Sequence, residues 1–333
     1  MTTKAITSAL AAAVLLCGLA LAAIAQPLVL QRTIPLKGVS GRIDHMADDL
    51  ARKRLFVAEL GNGTLDVVDL DAGQVIHRIG GLKEPQGVGY APGPDILAVA
   101  SAGDGSVRLF HGAELSPAGV VMLGDDADNV RLGAGGGNFV VGYGSGALAV
   151  IDPVSGAVVS RIRLAAHPES FQIDPDNRRA FVNVPDAHQI AVVDLQSGRQ
   201  TATWRIAVLA ANFPLAFDGA AGMIASVFRS PPRLVVLETR RGTPISNLAG
   251  CGDADDVFFD GKRQRIYASC GDGHVEVWQR DGAKYRPLGS VKTAPGARTS
   301  LFVPTLDRLF VAARAGFFGL GPDAAILELR PAD

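Results

Sequence analysis

Apolar residues along this chain come in short runs of aliphatic and β-branched side chains, broken every few residues by glycine, proline or a charged pair. The end of each unit's apolar run is the clearest marker: VVDL (67–70), RLFH (108–111), AVID (149–152), VVDL (192–195), VVLE (235–238), EVWQ (276–279) and ILEL (326–329). The marker residues Asp69, His111, Asp152, Asp194, Glu238, Gln279 and Glu328 are separated by 42, 41, 42, 44, 41 and 49 residues. A near-constant period of this length is the signature of a repeat architecture. The seven units run over about 41–83, 84–124, 125–166, 167–210, 211–251, 252–295 and 296–333.

Unit one predicts four strands: Arg42–Ala47, Leu55–Glu59, Thr64–Leu70 and Gln74–Ile79, with ADDLARKR, GNG and DAG as turns. Related turns recur as DPVSGA (152–157), DLQSGR (194–199), ETRRGT (238–243) and QRDGA (279–283). Four to seven alternating residues closed by a glycine turn are hairpin grammar, because glycine supplies the positive φ such turns need. No long 3.6-residue stripe follows the N-terminal segment. The pattern therefore predicts an all-β, seven-bladed β-propeller of four-stranded antiparallel blades. The last unit reaches its C-terminus after three strands, and an extra strand, Pro27–Leu36, precedes the first. That strand matches the fourth-strand pattern of VVSRIRL (158–164), so it is expected to complete the last blade. Ladder hydrogen bonds would then replace an open edge.

Residues 1–25 read as a signal peptide: Lys4, an apolar stretch from Ala9, and Ala23-Ile24-Ala25 as a small-x-small cleavage site. The mature domain is then 26–333, periplasmic or secreted, with cleavage after Ala25 and no membrane insertion afterwards. Formal net charge is −1 and no basic block exists, which argues against a nucleic-acid partner. Export leaves Cys251 and Cys270, an even pair in an oxidising compartment, so a disulfide is expected, with two buried free thiols as the alternative. GAGGG (133–137) and GYGSG (142–146) precede strands, not helices, so they are hairpin turns and not phosphate cradles.

These blade motifs, best in FVAELGNGTLDVVDLDAGQVIHRI (56–79) and FVNVPDAHQIAVVDLQSGRQTATW (181–204), resemble the YVTN-repeat, YncE-type family of secreted bacterial β-propellers. The literal YVTN is replaced by FVAE, FVNV and FVAA (310–313). The resemblance spans 27–333 and implies seven blades and secretion; it carries no agreed catalytic set. Trp204 and Trp278 are the only tryptophans and neither precedes Asp, unlike the tryptophan-aspartate repeats.

In a propeller, the linkers leading into the seven innermost strands open on one face beside the central channel. Here they are GRIDH (41–45), EPQG (84–87), DDADN (125–129), HPES (167–170), ANFP (211–214), GDADD (252–256) and GARTS (296–300). Nearly all carry charge, an amide or histidine, either to hold turns or to bind a ligand. The candidate ligand-binding residues are Asp44, His45, Gln86, Asn129, His167, Glu169, Asn212, Asp256 and Arg298. Asp126 and Asp253 belong to the same acidic funnel. Its like charges need either arginines (Arg42, Arg131, Arg298) or a divalent cation, calcium or magnesium, held by Asp128, Glu169 and Asp255. His45 and His167 are the candidate proton-transfer residues, since an unperturbed imidazole titrates near neutrality. Phe317 and Phe318, in the long last loop, are a candidate lid or a packing pair.

Without a recognisable catalytic set, the expected function is a monomeric periplasmic binding or interaction protein. Its partner would be a small polar solute or another periplasmic protein. The alternative is a metal-assisted lactonase or lyase using the same channel site.

Overall fold

The computed structural model describes residues 26–174, 176, 178–316 and 321–333. The segment read as a signal peptide and the Phe317–Phe318 pair lie outside the described residues. Seven four-stranded antiparallel sheets form a ring of blades. Blade 1 is β2 (Met46–Asp49), β3 (Arg54–Glu59), β4 (Thr64–Asp69) and β5 (Gln74–Ile79). Blade 2 is β6 (Pro85–Ala91), β7 (Ile96–Ser101), β8 (Ser106–His111) and β9 (Pro117–Met122). Blade 3 is β10 (Ala127–Leu132), β11 (Phe139–Tyr143), β12 (Ala147–Ile151) and β13 (Val158–Arg163). Blade 4 is β14 (Phe171–Ile173), β15 (Arg179–Val184), β16 (Gln189–Asp194) and β17 (Arg199–Trp204). Blade 5 is β18 (Ala210–Asp218), β19 (Met223–Ser230), β20 (Pro232–Glu238) and β21 (Pro244–Ala249). Blade 6 is β22 (Ala254–Asp260), β23 (Arg265–Cys270), β24 (His274–Asp281) and β25 (Lys284–Lys292). Blade 7 is β26 (Ser300–Val303), β27 (Arg308–Ala313) and β28 (Ala325–Pro331), closed by β1 (Leu28–Pro35).

The core is divided among the seven blade-to-blade contacts. Alternation along the middle strands does this. In β3, Leu55 and Val57 pack toward blade 7 with Phe310 and Ile326, while Phe56 and Ala58 pack toward blade 2 with Leu97 and Phe110. Both faces of each middle strand are thereby buried, which is why these strands read as almost unbroken apolar runs. Close approach adds a glycine requirement where β6 meets β10. A Cβ on Gly87 would fall 1.8 Å from the carbonyl oxygen of Asp128.

Strand β1 seals the ring by antiparallel pairing with β28, from Leu28 opposite Pro331 to Pro35 opposite Ala325. A bulge between Leu30 and Arg32 inserts one residue. That extra residue reverses the side-chain alternation. Leu28 therefore packs into the blade 6–7 core and Ile34, of the same parity, into the blade 7–1 core. Arg32 pairs with Glu328 at 2.7 Å and donates to the carbonyl of Leu70, tying the seal to blade 1.

The first innermost strand begins later than the sequence pattern predicts, at Met46 and not at Arg42. Residues 42–45 instead follow an irregular path held by neighbouring backbone: the His45 amide donates to Gln86 O at 3.2 Å and the Asp44 amide to Ala58 O at 2.8 Å. The expected disulfide is present between Cys251 and Cys270, with Cα atoms 5.9 Å apart. It anchors the linker that carries Asp253 and Asp255 to the end of β23. The turns between first and second strands also do more than reverse the chain. Arg52 in blade 1 donates to Asp49 and reaches across to Asp95 of blade 2 at 3.0 Å, and Arg263 joins Asp260 to Asp307 in the same way between blades 6 and 7.

Truncating Ile34 to alanine should cost about 2–5 kcal/mol in denaturant unfolding, the usual range for a fully buried isoleucine. The Cys251→Ser, Cys270→Ser double variant should lose roughly 3 kcal/mol, the chain-entropy value for a loop of this length. Unchanged midpoints in both variants would contradict these roles for the closing strand and the bridged linker.

Candidate functional site

All seven blades contribute to one cavity of about 270 Å³ at the mouth of the channel. Blade 1 supplies Arg42, blade 2 Gln86, blade 3 Asp126 and Asp128, and blade 4 His167 and Glu169. Blade 5 supplies Phe213 and Arg229, blade 6 Asp255 and blade 7 Arg298. Apart from Arg229, they sit just before or within the first residues of the innermost strands, whose later apolar residues go to the blade contacts, leaving the strand starts to face the axis.

Charges in this mouth are segregated. On the side of blades 5, 6, 7 and 1, Arg298 meets Asp255 at 2.6 Å and Asp253 at 2.6 Å. Arg229 also bonds Asp255 and lies over the Phe213 ring, 3.6 Å from its centroid. Arg42 reaches Asp44 at 2.8 Å and Asp255 at 3.8 Å. On the side of blades 3 and 4, His167 lies 3.4 Å from Asp126 and 3.9 Å from Asp128, and its Nδ1 is 2.6 Å from the carbonyl oxygen of Gly144. Asp128 is 7% exposed and its Oδ1 has no hydrogen-bond partner among the described residues. The Glu169 carboxylate makes no hydrogen bond or ion pair with any described residue. It is the one ionisable side chain lining the mouth of which this is true.

The neighbourhood sets the protonation states. Burial opposes the His45 imidazolium, but Asp256 at 3.6 Å and Asp44 at 3.7 Å overcome it and raise its pKa to about 10. Burial likewise opposes the His167 cation, and Asp128, the Gly144 carbonyl and Asp126 raise it to about 9. Neither histidine offers a free base at neutral pH, which removes the reason for assigning them proton abstraction. Burial lifts Glu169 to about 7, with the Asp128 charge adding to it. Burial also lifts Asp44 to about 7, against the pull of His45 and Arg42.

The sequence-derived residues thus divide. Gln86, His167, Glu169 and Arg298 meet in the mouth, joined there by Asp128 and Asp255. Asp44, 1% exposed, lies beneath Arg42. His45 and Asp256 line a second cavity farther down the channel. Asn129 is buried and lines neither cavity. Asn212 is taken up structurally: its amide donates to Asn183 Oδ1 at 2.8 Å and to Gln189 O at 3.0 Å, stitching blade 4 to blade 5. Asp128, Glu169 and Asp255 do not form a group with mutually close oxygens among the described residues. Asp255 is turned instead toward guanidinium groups. The arginine compensation holds for Arg42 and Arg298, whereas Arg131 has no carboxylate within 4.0 Å among the described residues. Arg229 takes the third place. It comes from the end of β19, where the RSPP (229–232) hairpin leads into β20 on the same face as the linkers.

No protein-family model matches the chain, and no curated protein matches it in sequence. Among solved structures it is similar to Kuenenia stuttgartiensis hydrazine synthase, with a TM-score of 0.73 and 17% identity over 86% of this chain and 95% of that one. It is also similar to a chain in the crystal structure of the mitotic checkpoint complex, with a TM-score of 0.77 and 13% identity over 100% of both. At such identities the likeness shows the seven-bladed fold and nothing of the site.

A histidine whose folded pKa is raised contributes stability that is complete below its unfolded value, near 6.5, and fades as pH climbs through the folded value. Thermal stability should therefore fall between about pH 7 and 10, and the His45→Gln variant should show a shallower fall in the same melting series. An identical slope in variant and parent would show that the Asp44–His45–Asp256 contacts do not hold the proton.

Proposed function

We propose that this chain is an exported binding protein of the YVTN-repeat, YncE-type kind, whose ligand is a small polar solute with a cationic amine seated in the channel mouth. The observation that carries this reading is the Glu169 carboxylate. Among the described residues it stands without a counter-ion in a cavity where every other ionisable lining group has one, beside the buried Asp128 Oδ1, which has no hydrogen-bond partner among them either. An ammonium group placed there would relieve both, since an unpaired carboxylate in a low-dielectric site is costly. Gln86 and the donors of Arg42 and Arg229 are positioned to bond hydroxyl or carbonyl groups on the rest of the solute.

Export is supported by the Cys251–Cys270 bridge, because such bonds persist in oxidising compartments, and Ala23-Ile24-Ala25 is the sequence's candidate site for cleavage after Ala25. Among the described residues no helix is long and apolar enough to cross a membrane. A protein partner is also compatible with the fold, one of whose structural neighbours belongs to the mitotic checkpoint complex. The metal-assisted lactonase or lyase reading has less behind it. Asp255 already faces Arg298, Arg229 and Arg42, and both histidines are held as cations.

Calorimetric titration with matched pairs tests the reading: glucosamine against glucose, and putrescine against 1,4-butanediol. The amines should bind and the neutral partners should not. Glu169→Gln should weaken amine binding by roughly 10- to 100-fold, the range for loss of a charge-assisted hydrogen bond. Equal binding of amine and alcohol, or full affinity in Glu169→Gln, would refute it.

A further inference from the structure

Below the charged mouth, the channel holds a second cavity of about 360 Å³, and no residue lines both. Its walls follow from strand register. In each blade one innermost residue opposes a large buried side chain of the second strand: Ala47 faces Phe56, Tyr90 Leu97, Leu132 Phe139, Gln172 Phe181, Phe217 Ile224, Phe258 Tyr267 and Leu301 Phe310. All seven of these innermost residues are half-buried, and all line this cavity. Five are wholly apolar, one is tyrosine and one glutamine, so the layer is an apolar collar with two polar members.

One register place nearer the mouth, the layer that includes Met46, Phe171 and Val257 contains a single charged residue, Arg131. Its guanidinium donates to the Val130 carbonyl at 2.8 Å and weakly to Ser170 Oγ at 3.4 Å, and lies 5.7 Å from the centroid of the Phe171 ring. It has no carboxylate within salt-bridge distance among the described residues. The nearby acids are engaged elsewhere: Asp256 with the Ser300 amide at 2.8 Å and with His45 at 3.6 Å, and Asp128 with His167. The other unpaired ionisable group of this cavity is Asp48, two residues beyond Met46 in β2, and burial raises its carboxyl pKa. A guanidinium offers five donors in a planar fork that fits a carboxylate through two parallel bonds. Most of those donors are unused here.

We propose that this lower cavity is a binding site for a small monocarboxylate with an apolar body. The carboxylate pairs with Arg131, and the apolar body fills the collar formed by Leu132, Phe217, Phe258 and Leu301. Mostly apolar walls with a few placed polar and charged groups are the usual make-up of a small-molecule pocket, and here His45 and Asp256 face each other while Arg131 is the cation without a partner among the described residues. The volume suits a ring or a chain of several carbons. The site is independent of the amine site at the mouth, so either assignment can fail without the other.

Phenylacetate and hexanoate, with phenethylamine and hexanol as controls, test the proposal by calorimetry on the intact exported protein. The acids should bind and the controls should not. Saturating glucosamine should leave phenylacetate affinity unchanged. Arg131→Met should weaken phenylacetate by roughly 10- to 100-fold and Arg131→Lys by less. The parent protein alone can overturn the idea. Failure of both acids to bind at millimolar concentration would do so. So would tighter binding of phenethylamine than phenylacetate, which would make Asp48 the anchor. Undiminished affinity in a folded Arg131→Met protein would overturn it as well.

Discussion

Everything in this molecule depends on the pairing of β1 with β28. Each middle strand is apolar on both faces, so each blade needs a neighbour on either side. An open array of seven would leave two of those faces in water. The N-terminal strand supplies the missing outer strand of blade 7 and pairs the otherwise free edge of β28. It also inserts Leu28 and Ile34 into the two flanking cores through the bulge at residues 30–32. Closure has a second consequence: it brings seven linkers distant in sequence to one axis, which a single blade could not do.

On that axis, the chain has concentrated more charge than its near-neutral composition suggests. Most of it is matched locally. Arg298, Arg229 and Arg42 face Asp253, Asp255 and Asp44; His45 faces Asp256 and Asp44; His167 faces Asp126 and Asp128. Matched buried pairs add little net stability, because desolvation offsets most of their attraction. Their effect here is to fix side-chain positions around the two cavities, which share no lining residue. Glu169 above, and Arg131 and Asp48 below, are left without partners among the described residues, and the functional reading rests on Glu169 and Arg131, two groups of opposite sign.

The fold was legible because it is written seven times. Period, glycine turns and the N-terminal strand each pointed to a closed propeller, and Cys251 and Cys270 pointed to their bridge. The site was legible only in outline. The linkers do converge, but composition could not say which polar groups would be spent on structure. Asn212 is consumed by Asn183 and Gln189, a contact between neighbouring blades that no local pattern announces. His45 and His167 looked like bases because an isolated imidazole is one. Two carboxylates around each turn them into cations, and that depends on a three-dimensional neighbourhood. Arg229 lies outside the linkers, in the RSPP turn that faces the same way, so the linker pattern alone does not contain it. Arg131 carried a readable signal: it interrupts an innermost strand at a position where other blades place Met46, Val257 or Phe171. Aligning the strands across units, and not only their linkers, exposes it.

Native-state hydrogen exchange on the β1 amides tests the central claim most directly. If ring closure supports the whole structure, the amides of β1 bonded to β28 will exchange only through global unfolding, with the same free energy as the middle strands of all seven blades. Rapid exchange of β1 while the other blades stay protected would show that the ring stands without its seal, and closure would then not be what holds the seven blades together.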